Sequence, residues 1–112
     1  MTRPSPVALA CALAFALAFA LGAGAATGAA ATTYTVTIDG VKYEPEVLKV
    51  NRGDTVVWVN RDPFPHTVTA RGAFDSRSID AAKSWKYAAK RAGEYRYVCA
   101  FHPNMKGTLT VK

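Results

Sequence analysis

Near the C-terminus, Cys99-Ala100-Phe101-His102-Pro103-Asn104-Met105 places a thiolate, an imidazole and a thioether within one short stretch. Copper is the ion that takes all three donor types together. Two His and one Cys in a trigonal set, completed by a weak axial Met, form the arrangement copper uses for one-electron transfer. That set needs a second His, and the chain contains only one other, His66. His66, Cys99, His102 and Met105 therefore complete a ligand inventory with no imidazole left over. Zinc also takes Cys and His, but a thioether is a poor ligand for it, and no further thiolate or hard ligand stands nearby. Taken singly, a Cys before a turn is a small buried hydrophobe and a Met fills core space. The joint presence of both His, the Cys and the ordered spacing is what a metal site explains.

Four side chains converge on one point only if the scaffold bends there. Strand side chains alternate faces, whereas a loop can wrap its residues around an ion. Cys99 ends one strand-like run and Gly107 begins another, so the segment between them is expected as a connecting loop. His66 follows Phe64-Pro65 at the start of a further strand, whose end can lie beside that loop. The rest of the chain reads as short strands. Tyr34–Ile38 alternates β-formers and ends at Asp39-Gly40, a hairpin signal. Tyr43–Val50 is interrupted by Pro45, which marks an edge or a bulge. Thr55–Val59 is an almost continuous apolar run, as expected of a strand in the middle of a sandwich. Ser84–Ala89 and Glu94–Cys99 are further strands, and Gly107–Val111 closes the domain. Arg71–Lys83 is irregular, with a short helical turn expected at Ile79–Ala82. About seven or eight short strands with regularly spaced turns predict an all-β antiparallel sandwich.

The chain has 112 residues, but its first 31 carry the layout of a secretory signal peptide. Arg3 precedes an apolar run over Val7–Leu21, and Ala23-Gly24-Ala25 and Ala29-Ala30-Ala31 offer cleavage sites. A retained anchor is the competing reading, since 7–31 is uncharged and long enough to cross a bilayer; the small-residue end favours cleavage. A single domain then occupies residues 32–112, expected outside the cytoplasm or in the periplasm. Cys11 leaves with the signal, so Cys99 stands alone and no disulfide can form within the domain. A lone exported Cys is reactive, paired with another chain, or metal-bound. Net charge is +6 and falls by the one charge of Arg3 to +5. The cations are scattered, and Lys83–Arg91 interleaves with Trp85 and Tyr87 at strand period, which suits a solvated face. Export argues against nucleic acid as the target of this charge and leaves an acidic protein partner.

With these residues in place, the chain resembles the cupredoxins, the small blue copper proteins, and is most similar to their amicyanin, pseudoazurin and plastocyanin branch. The resemblance rests on Gly53–Asn60, Pro65-His66-Thr67-Val68, Phe74-Asp75-Ser76, Gly93–Cys99 and His102–Gly107. It spans the whole of residues 32–112, and its ligand segment is its most specific part. It implies a Greek-key β-sandwich with His66, Cys99 and His102 as equatorial ligands and Met105 as the axial ligand of one copper ion cycling between Cu(I) and Cu(II). Many members carry Asn where this chain has Thr67, a residue that ties the two ligand segments together by hydrogen bonds. Arg77–Ala82 also lacks glycines common in that loop.

The function implied is one-electron shuttling by a monomer between exported redox proteins, such as a dehydrogenase and a c-type cytochrome. No enzymatic activity is expected, because copper catalysis needs further His-rich sites. Membrane contact is expected only through the signal. His102 would be the exit for the electron, with Phe101, Pro103, Phe64 and Pro65 as an apolar docking patch, unless the two Phe belong to the core. Copper storage, delivery or resistance is the alternative, and the scarcity of Met counts against it.

Overall fold

The computed structural model describes residues 30–112. The expected signal, residues 1–31, falls almost wholly outside the described residues. The domain is built from nine strands: β1 Thr33–Ile38, β2 Tyr43–Glu44, β3 Val47–Val50, β4 Thr55–Asn60, β5 Thr69–Ala70, β6 Phe74–Asp75, β7 Ser84–Ala88, β8 Gly93–Cys99 and β9 His102–Val111. They form two sheets, in the orders β2-β1-β4-β7 and β3-β9-β8-β5-β6. This is the expected β-sandwich, with the count raised by two-residue strands too short to show as sequence alternation. Two pairings are parallel, β1 with β4 and β3 with β9. The chain changes sheet between Glu44 and Val47, where Pro45 interrupts the run, so the single strand expected over Tyr43–Val50 becomes two edge strands.

Alternation decides which side chains fill the space between the sheets. In β4, Val56, Trp58 and Asn60 are buried while Thr55, Val57 and Val59 are only half-buried. β1 contributes Val36 and Ile38, β9 contributes Leu109 and Val111, and β8 contributes Tyr97 and Cys99. Trp58 is completely buried, packing edge-on against Tyr97 with centroids 5.5 Å apart. Tyr97 lies opposite Gly107 in the β8–β9 register, and its ring occupies the space a side chain at 107 would need.

Asp39–Lys42 makes the expected β1–β2 hairpin turn, with Gly40 and Val41 both left-handed at φ 63° and 60°. Two successive positive φ values are the signature of a type I′ turn. A β-branched residue rarely adopts that conformation, so something must hold Val41 there. The segment expected as a helical turn at Ile79–Ala82 is a strand bridge at Ile79 followed by a tight turn, in which the Lys83 amide donates to the Asp80 carbonyl at 3.0 Å and Ala82 takes a positive φ of 67°. Ile79 pairs with His66 through two backbone bonds, Ile79 N–H to His66 O at 2.7 Å and His66 N–H to Ile79 O at 3.1 Å. Those bonds satisfy backbone groups that a single helical turn would leave unpaired.

Candidate metal centre

Cys99 ends β8 with its sulfur inside the sandwich and no exposed surface. Cys99–Met105 is a tighter device than the loop expected from sequence. Only Ala100 and Phe101 connect β8 to β9, and Cys99 pairs directly with His102. The next pair in the ladder is Val98 with Lys106, so Pro103, Asn104 and Met105 stand as extra residues in β9. Pro103 has no N–H to give a ladder, and a bulge re-aims the side chains around it. That irregularity suspends strict alternation at the one place where Cys99, His102 and Met105 must share a neighbourhood. Met105 is buried at 3 % exposure and lines a shallow depression with Val41, Phe101 and His102.

His66, from the segment before β5, completes the cluster. The donor atoms of His66, Cys99 and His102 all lie within 4.8 Å of one another. Cys99 Sγ is 3.6 Å from His66 Nδ1 and 3.7 Å from His102 Nδ1. Those spacings leave room for one ion to be held by all three atoms, and His₂Cys is a donor set that copper takes. The donor set and its spacing thus fit copper. The two His differ sharply in setting: His66 is completely buried, whereas His102 is half-exposed.

Asp62 was not singled out in the sequence, yet it fixes His66. His66 Nε2–H donates to Asp62 Oδ2 at 2.8 Å, leaving the Nδ1 lone pair directed at Cys99 and His102. The same carboxylate accepts the Gly40 amide at 2.7 Å and the Val41 amide at 2.9 Å. Burial pushes the Asp62 carboxyl up, but the Val41 and Gly40 amides and the His66 ring outweigh it and hold the group below the usual carboxylate range. A carboxylate hydrogen-bonded to the far nitrogen of a His fixes its tautomer and ring orientation. It also clamps the strained turn at Val41. Asn60 supports this loop: its side-chain amide donates to the Phe64 and Ile79 carbonyls, and its Oδ1 accepts the Asp62 amide. The sequence signal available was Asp62 four residues before His66, a spacing with no meaning outside a helix.

Thr67 makes the tie that Asn makes in many relatives. Its amide donates to Cys99 Sγ at 3.3 Å, and its Oγ1 accepts the Ala100 amide at 2.8 Å, joining the His66 segment to the β8–β9 hairpin. Its carbonyl accepts the Tyr43 hydroxyl. Outside the cluster, Phe64 and Phe101 are exposed by 40 % and 54 %. They are surface residues beside the cluster, with the Phe64 ring 5.9 Å from that of His102.

Comparison with known proteins places these features among relatives. A family model described as a cupredoxin-like domain matches residues 9–111. Amicyanin from Paracoccus denitrificans is 34 % identical over 83 residues, a match covering 69 % of this chain and 63 % of amicyanin. Plastocyanin from Scenedesmus fuscus is 33 % identical over 88 residues, covering 62 % of this chain and 86 % of that protein. Among solved structures, a Cu(I) form of an amicyanin variant superposes with a TM-score of 0.68 at 31 % identity, covering 79 % of this chain and 88 % of that one.

Proposed function

The chain belongs to the cupredoxin-like family, whose members bind one copper ion, and from that premise we propose that it is a blue copper protein that passes single electrons between exported redox partners. His66, Cys99 and His102 would hold the ion, with Met105 as a fourth, weaker donor. The observation that carries this reading is the convergence of one buried thiolate and two imidazoles within 4.8 Å. Copper, when bound, supplies a one-electron couple.

The chain's own residues do the rest. Asp62 and Ile79 hold His66 from its side chain and its backbone, and the Thr67 amide holds the Cys99 sulfur in place. A ligand set held from several elements moves little between oxidation states, which keeps the reorganisation on electron transfer small. The interior excludes water from Cys99, so the environment of its sulfur tunes the potential. His102 brings the site to the surface, ringed by Phe64 and Phe101, and supplies the contact through which an electron leaves. Such a patch suits the small, weak interfaces of redox partners. Domain 32–112 works outside the cytoplasm after removal of residues 1–31, as a monomer meeting an acidic partner such as a dehydrogenase or a c-type cytochrome.

Loading the protein with Cu(II) tests the assignment. An intense visible band from the Cys99 thiolate and a reversible one-electron titration are expected. A colourless protein that binds only Cu(I) would overturn the shuttle in favour of copper handling.

A further inference from the structure

Thr67 Oγ1, which accepts the Ala100 amide, belongs to a longer hydrogen-bond relay. It lies 2.9 Å from Thr69 Oγ1, and the Thr69 hydroxyl donates to Asp75 Oδ1 at 3.1 Å. A hydroxyl has one hydrogen to give, and an ionised carboxylate only accepts. Thr69 gives its hydrogen to Asp75, so the hydrogen between the two threonines comes from Thr67. The direction is thereby fixed throughout: Ala100 N–H to Thr67, Thr67 O–H to Thr69, Thr69 O–H to Asp75. The relay joins the surface to the metal cluster. Asp75 is exposed on β6, Thr69 is half-buried opposite it on β5, and Thr67 is buried next to His66.

The outer end is anchored. Arg77 takes a left-handed backbone at φ 61°, which a residue with a side chain adopts rarely, and its amide donates to the same Asp75 oxygen at 2.9 Å. Ser76 pins the residue between the two threonines: its Oγ accepts the Val68 amide at 2.7 Å, and its own amide donates to the Val68 carbonyl at 3.0 Å. A Thr–Asp pair across two short strands would by itself only fasten a hairpin. This pair does more, because the relay continues to the Cys99–Ala100 junction and each bond in such a series polarises the next. Thr67 also donates its backbone amide to Cys99 Sγ at 3.3 Å, so the residue whose hydroxyl Asp75 orients is one that touches the sulfur.

We propose that Asp75 is a positioning residue for the metal site: acting through Thr69 and Thr67, its carboxylate clamps the Cys99–Ala100 junction to the His66 segment and biases the loaded protein toward its oxidised form. The proposal rests on the reading of the site as a redox copper centre. The bias takes its sign from the charge, since a negative end to a polarised relay favours the more positive metal state, Cu(II) over Cu(I). The carboxylate acting through space would deliver little of this, because at an exposed position water weakens its field. The relay carries the effect inward, as hydrogen bonds behind a ligand set tune the metal they surround.

Three variants separate the charge from the relay. Asp75→Asn keeps an acceptor oxygen and removes the charge, Thr69→Val keeps the charge and cuts the relay, and Thr69→Ser keeps both. In metal-free protein, Ala100 amide hydrogen exchange followed by NMR is expected to speed several-fold in Thr69→Val and to stay unchanged in Thr69→Ser. In copper-loaded protein poised at one ambient potential, the Cu(I)/Cu(II) ratio is expected to rise several-fold in Asp75→Asn and in Thr69→Val. Adding Asp75→Asn to Thr69→Val should then change the ratio little further. An Asp75→Asn effect of equal size in both backgrounds overturns the relay, because the charge then acts through space. An Ala100 exchange rate unmoved in Thr69→Val, or a ratio unmoved in Asp75→Asn, overturns it as well. Absence of a visible band on Cu(II) loading of the unaltered protein overturns the copper reading itself and this proposal with it, so the two failures are distinct.

Discussion

His66 and His102 present the same atom, Nδ1, to the same sulfur at nearly equal distances, yet their surroundings are opposite. His66 is wholly buried, with its Nε2–H on Asp62 and its backbone paired to Ile79. His102 is half-exposed at the start of β9, directly after a two-residue turn, and its neighbours are the exposed Phe64 and Phe101. The interior imidazole is held by the fold, and the outer one is, on the proposed reading, what the fold shows to a partner. A one-electron carrier needs both: a site that hardly rearranges and a single edge through which to be reached.

The comparison breaks most completely at the atom both His share. Cys99→Ser is expected to abolish the visible band and to erase the difference in melting temperature between copper-loaded and metal-free protein, because ligand binding to the native state is itself a stabilising term. Calorimetry with and without copper reads the second effect. A retained copper-dependent shift would mean that the two His bind without the thiolate.

The next effect belongs to the interior side alone. Burial pushes the Tyr97 phenol up to about 12, and that of Tyr43 higher still. In the unfolded chain a phenol ionises near pH 10, so the native state holds its proton where the unfolded state has lost it. Stability from Tyr97 is complete below pH 10 and falls as pH rises toward 12, by about 3 kcal/mol. Denaturant unfolding at pH 9 and at pH 12 should show this loss, and Tyr97→Phe should show a smaller one. An equal loss in the Phe variant would place the alkaline sensitivity elsewhere.

Asp62→Ala separates the two His directly. Removing a partner of a ligating His costs about 10–100-fold in metal affinity. Copper competition against a chelator should show that loss, while the visible band survives at saturating copper. Unchanged affinity would mean that Ile79 alone orients His66. Smallest of all is Phe101→Ala on the exposed side. Its effect on stability should lie within about 0.5 kcal/mol, with the spectrum unchanged. Electron self-exchange measured by NMR line broadening should nevertheless slow, since that reaction needs two such patches to meet.

Much of this was legible in the chain. The donor types and their spacing named the metal, alternation in Thr33–Ile38 and Thr55–Asn60 marked strands, and Asp39-Gly40 marked a turn. Much of what escaped depends on partners distant in sequence. Asp62 meets its turn partners 21 and 22 residues away, and no local pattern announces that meeting. Ile79 looked helical because its strand bonds come from His66, in another segment of the chain, which a lone segment cannot supply. The tightness of the Cys99–His102 hairpin was also hidden, because a bulge in β9 does the work that a longer loop would otherwise do. Thr67 in place of Asn raised a question about the tie between the ligand segments, and its hydroxyl answers it through the Ala100 amide.

The strained Val41 turn carries a lesson for transplantation. A designer moving this metal site into another sandwich would copy Cys99–Met105 and a distant His, since those are the residues proposed to hold the ion. The graft would lack the two amides that, in this chain, anchor the carboxylate behind that His. Asp39–Lys42 is cargo that must travel with the ligands: three separate stretches of chain, inherited or engineered together.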